Sequence, residues 1–97
     1  MAQPATRIGD RDVVHDCVQQ YRAQGSKDVF VNGIPWSRQG DLNTAHNYTP
    51  TCIPVHAMPI ATGSKTVFIN GKGAGRVGDS ITSCTVVAEG SKDVFAG

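Results

Sequence analysis

One short pattern constrains this chain more than any other, because it occurs three times. Arg7-Ile8-Gly9-Asp10, Arg38-Gln39-Gly40-Asp41 and Arg76-Val77-Gly78-Asp79 all read Arg-x-Gly-Asp, and the residue six places beyond each glycine is His15, His46 and Cys84. Imidazole and thiolate are ligands for a soft or borderline divalent metal. A second signal, Gly-Ser-Lys-x-Val-Phe, also recurs three times, at residues 25–30, 63–68 and 90–95. From its glycine to the next Arg-x-Gly-Asp arginine is 13 residues in both cases, Gly25 to Arg38 and Gly63 to Arg76. Two signals at a fixed gap mark a repeated structural unit that cannot bury an apolar face alone.

With only 97 residues, the units have to share one small core, and a chain of this size buries only about 60% of its unfolded surface. We therefore expect a single domain over residues 1–97, its three units wrapped about one axis. The 11 glycines and 5 prolines, set against a single leucine, favour turns and strands over helices. The first unit takes residues 2–33, the second 34–71 and the third 72–97. In the first, residues 12–24 suit a short strand pair better than a helix. Residues 27–32 alternate as a strand does, and Asn32-Gly33 ends them with a tight-turn signal that returns at Asn70-Gly71. Val29, Val31, Val67, Ile69 and Val94 are candidates for the core or for a capped face, and Trp36 suits either a core or an interface. Residues 47–61, with Pro50, Pro54 and Pro59, read as a loop pressed against the body. We expect each Arg of Arg-x-Gly-Asp to pair with a carboxylate of its own or a neighbouring unit.

A formal net charge of +1 without a Lys/Arg cluster excludes a nucleic-acid surface. No apolar run approaches the ~20 residues of a membrane-spanning helix, and the N-terminus does not read as a signal peptide. Three cysteines, an odd number, argue against a disulfide framework and for folding in a reducing cytoplasm. A small core without disulfides calls for another staple, such as a metal.

Under pseudo-threefold symmetry His15, His46 and Cys84 converge near the axis. A tetrahedral ion then needs one more ligand, which His56 or Cys52 can supply, both from the 47–61 insertion. Cys17 reads as a small buried apolar residue.

Pro4-Ala5-Thr6-Arg7, Pro35-Trp36-Ser37-Arg38 and the weaker Gly73-Ala74-Gly75-Arg76 resemble the Pro-Ala-Ala-Arg signature of the PAAR-repeat family. The Gly-Asp turns and Val-Phe strands are similar too. Asp16-Cys17 departs from the family where many members carry Gly-Gly, and the third unit lacks the proline. The resemblance implies an all-β fold: a small cone of three pseudo-threefold repeats, closed near its apex by a metal. It implies a zinc site of His15, His46, His56 and Cys84, a donor set that also accepts iron. It implies a structural role, without catalysis. One monomer would cap a trimeric β-helical spike and sharpen it for piercing the host cell envelope, with transient contact to the outer membrane. The length and lack of extensions resemble the small tip proteins of T4-like contractile-tail phages, so the expected location is the tail baseplate of a virion, after synthesis in the bacterial host cytoplasm. The alternatives are a type VI secretion tip and, less favoured, a small zinc hydrolase using the three histidines.

Overall fold

The computed structural model describes residues 2–14, 19–44, 57–82 and 84–97. Among them every regular element is a strand of two residues: β1 Gln3–Pro4, β2 Phe30–Val31, β3 Ile34–Pro35, β4 Phe68–Ile69, β5 Lys72–Gly73 and β6 Phe95–Ala96. They pair antiparallel as β2 with β3, β4 with β5 and β6 with β1. The first two pairs are hairpins. Their turns are Asn32-Gly33 and Asn70-Gly71, with all four φ angles positive (55° and 76°, 55° and 79°). This is the two-residue turn whose twist matches its strands. The third pair has the same register, Gln3 opposite Ala96 and Pro4 opposite Phe95, but joins the first and last strands of the chain. Three equivalent strand pairs, two of them hairpins, therefore stand around one axis.

A closed ring of backbone hydrogen bonds marks that axis. Thr6 N donates to Gly75 O (3.1 Å), Gly75 N to Ser37 O (2.9 Å) and Ser37 N to Thr6 O (3.0 Å). The three residues hold the same place in their Pro-x-x-Arg signals. On one side of the ring lies a core of Ala5, Trp36 and Ala74 with Val31, Ile69 and Ala96, and Val29, Val67 and Val94 pack against it. Of the five candidates, Val31 and Ile69 are core groups, and Val29, Val67 and Val94 lie half-buried against them. Trp36 is core too, and its indole N–H donates to Gly75 O at 2.9 Å. On the other side lies a smaller cluster of Ile60, Ile81 and Val87. The molecule measures 40 × 23 × 22 Å, with the two nearly equal short axes that rotational pseudo-symmetry requires.

Residues 12–24 contain no helix among those described; Arg11 bridges Tyr21, and Asp12 N donates to Gln20 O at 3.0 Å. The second unit differs from expectation. Pro59, Ile60 and Ala61 are not loop. Pro59 bridges Leu42, Ile60 bridges Ile81, and Gly40 N donates to Ile60 O just as Gly9 N does to Arg22 O and Gly78 N to Val87 O. Pro59 is tolerated there because the bridge to Leu42 is made by its neighbours, Asn43 N to Met58 O and Ile60 N to Asp41 O, while Pro59 O accepts from Thr82 N. Residues 47–56 of that insertion lie outside the described residues.

Gly75 shows what the ring demands. A Cβ there would stand 2.5 Å from Ser37 O and 3.0 Å from both Thr6 Cγ2 and Ile60 Cδ1. Gly75→Ala should therefore destabilise the protein by about 1–3 kcal/mol, lowering the melting temperature by at least about 4 °C. An unchanged melting curve would show that the ring yields without cost.

Candidate metal centre

The distal cluster is reached from the three Arg-x-Gly-Asp turns. Gly9, Gly40 and Gly78 have φ of 90°, 87° and 92°, which is left-handed backbone that favours glycine. Each turn is closed by its own carboxylate: the Arg backbone N–H donates to Asp Oδ2 at 2.8, 2.7 and 2.7 Å in the three units. The guanidinium grips the same carboxylate, with Nε to Oδ2 at 2.9 Å in the Arg7–Asp10 and Arg38–Asp41 pairs. Hydrogen bonding to Asp10 and Asp41 holds Arg7 and Arg38 above the ordinary arginine pKa. Among the described residues these arginines pair within their own unit.

The units are buttoned together on the outside. Ser26, Ser64 and Ser91 of the Gly-Ser-Lys signals each accept from the backbone N–H groups two and three residues on, which starts the following strand. Each Ser hydroxyl then donates across a seam. Ser26 donates to Asn70 Oδ1 and Ser91 to Asn32 Oδ1, both at 2.6 Å, while Ser64 donates to Gly97 O. The same asparagine oxygens accept from Arg38 and Arg7 at 3.0 Å. Asn32 also donates to Asp93. Hydrogen bonds from Ser91 and Asn32 hold the exposed Asp93 carboxyl below its usual range.

The turns place a second ring of residues two places beyond each aspartate: Asp12, Asn43 and Ile81, at 1%, 1% and 3% exposure. Opposite them stand Arg22, Ile60 and Val87, each 1% exposed. One unit thus carries a buried ion pair where the others carry Asn43 with Ile60 and Ile81 with Val87. Arg22 Nη2 donates to Asp12 Oδ2 at 3.2 Å, and Nε lies 3.2 Å from Oδ1 as a charge contact. Burial lowers the Arg22 pKa, and the Asp12 charge opposes that shift. The pair was missed in the sequence, yet a signal for it exists. Arg22, Ile60 and Val87 each stand three places before a Gly-Ser-Lys glycine.

Cys84 sits at the far edge of this layer. It is half-buried, packs against the Ile60, Ile81 and Val87 cluster, and its N–H donates to Ile81 O at 3.0 Å. An Asn43 amide N–H faces its sulfur, Nδ2 to Sγ 3.7 Å. The sulfur thus has an N–H donor beside it at the edge of an apolar layer. His15, His46 and His56 lie outside the described residues, as do Cys17 and Cys52. Among the described residues, no three His, Cys, Asp or Glu side chains meet as a metal cluster.

Residues 53–97 match the family model described as PAAR motif. That stretch carries a PAAR motif, which supports the resemblance to the PAAR-repeat family. The match covers the end of the second unit and the third, and the ring geometry carries the same arrangement back through Arg7 and Arg38. The PAAR motif is known in spike-tip proteins of contractile injection systems, where PAAR proteins sit on the tip of a spike and act structurally. No curated protein matches the chain.

The buried pair gives a direct test of how this layer is held. Arg22→Ile alone takes the guanidinium away from the buried Asp12 carboxylate and should cost about 3–5 kcal/mol. Adding Asp12→Asn copies the Asn43–Ile60 arrangement and should recover most of it, as read by denaturant unfolding. A double variant no more stable than the single one would show that the pair is not acting as a unit.

Proposed function

We propose that this protein caps the blunt end of a trimeric β-helical spike in a phage-type contractile tail, one chain per trimer, and sharpens it for piercing the host envelope. One observation carries the reading. The closed backbone ring through Thr6, Ser37 and Gly75 makes a single chain offer three near-identical faces. A trimeric β-helix ends in three equivalent, unpaired strand edges, which are sticky unless covered. Phe30, Phe68 and Phe95, one per unit and 53%, 60% and 51% exposed, give each third the same apolar group. The same physics serves a type VI secretion spike.

At the distal end we propose a zinc ion held by His15, His46, His56 and Cys84, a closed tetrahedral set without an open position for water. Bound there, zinc supplies a cross-link between the units where the apolar core is thinnest. Cys84 brings the third unit to it. The ligand offset of six residues beyond each Arg-x-Gly-Asp glycine brings the first two units through His15 and His46.

Two measurements test this. Native mass spectrometry of the protein mixed with a trimeric β-helical spike should show one chain per trimer; two or three bound chains would overturn the capping arrangement. Elemental analysis should find one zinc per chain, and its removal by a chelator should lower the melting temperature by at least about 10 °C. A metal-stripped protein with an unaltered melting temperature would rule out the structural ion.

A further inference from the structure

We propose that Asn43 is the positioning residue of the distal site: its amide N–H orients the Cys84 sulfur while its amide oxygen holds Met58. This rests on the zinc reading above.

Asn43 is 1% exposed and uses both ends of its side chain. Met58 N–H donates to Oδ1 at 2.9 Å, and the Asn43 backbone N–H donates to Met58 O at 3.1 Å. The Met58 N–H can face only an acceptor, which settles the orientation of the amide. The other end is then Nδ2, and it points at Cys84 Sγ from 3.7 Å. One side chain therefore joins three segments. It lies three residues before His46, it clamps a residue two after His56, and it touches Cys84.

The equivalent positions are not interchangeable. Ile81 has no donor, and Asp12 is an acceptor locked by Arg22. Only Asn43 among the three offers an N–H to sulfur. A thiolate that accepts such a bond gives up electron density to it, so the donor tunes the metal bond as well as aiming the ligand.

The experiment uses the cobalt(II)-substituted full chain, in which a thiolate ligand gives a sulfur-to-cobalt charge-transfer band. Asn43→Asp keeps an acceptor for Met58 N–H but removes the donor to sulfur. Asn43→Leu removes both. The band should move to lower energy in both variants, and Asn43→Leu should bind the metal about 10–100-fold more weakly. Ile60→Val, which thins the same layer, should lower the melting temperature and leave the band where it is. A band unmoved in both Asn43 variants overturns the proposal, as does an equal movement in Ile60→Val. A metal-loaded wild type without the band would instead sink the assignment of Cys84 as a ligand. The wild-type protein offers a second route that needs no variant. Loaded with an NMR-active cadmium isotope, it should show scalar coupling between the metal and an Asn43 side-chain N–H through sulfur. Absence of that coupling, with the Cys84 Cβ protons coupled, also overturns the proposal.

Discussion

Three backbone hydrogen bonds, Thr6 to Gly75, Gly75 to Ser37 and Ser37 to Thr6, carry the rest of the structure. Each strand here is two residues long, and an isolated pair of such strands is not stable in water. The ring converts three weak strand pairs into one object by making each unit the ladder partner of both others. It also leaves two otherwise unpartnered hydroxyls, Thr6 Oγ1 and Ser37 Oγ, fully buried beside it. Small side chains are needed at these positions because the backbones meet there, and at Gly75 the space shrinks to nothing.

Above and below the ring the two cores differ in character. The hairpin side is apolar throughout and nearly threefold. The distal side breaks the symmetry with Asp12, Asn43 and Arg22. A buried ion pair is weak support for stability, and its presence in one unit only gives the three segments distinct identities. A chain of near-repeats gains from such marks, since each unit then fits a single place in the layer.

Much of this was legible in the sequence for a local reason. Gly9, Gly40 and Gly78 announce turns because few other residues accept their φ. Asn32-Gly33 and Asn70-Gly71 announce hairpins for the same reason. What stayed hidden depends on contacts between distant positions. Pro59, Ile60 and Ala61 looked like loop because prolines dominate the stretch before them, yet Ile60 fills the place of Arg22 and Val87. Asn43 carried no signal of its own. Its importance comes from meeting Met58 and Cys84, and neither meeting follows from spacing. Of the expected ligands, Cys84 stands at the edge of the distal layer, and the three histidines fall outside the described residues.

The pairing of β1 with β6 has a consequence for how the molecule is made. Gln3 meets Ala96 and Ala5 meets Arg76, so the earliest residues wait for the latest ones. A solenoid can grow repeat by repeat from a finished end. This arrangement cannot, because the first unit does not find both its neighbours until Phe95 and Ala96 have left the ribosome. Assembly is therefore a late, collective step dominated by long loop closures, the regime in which folding is slow.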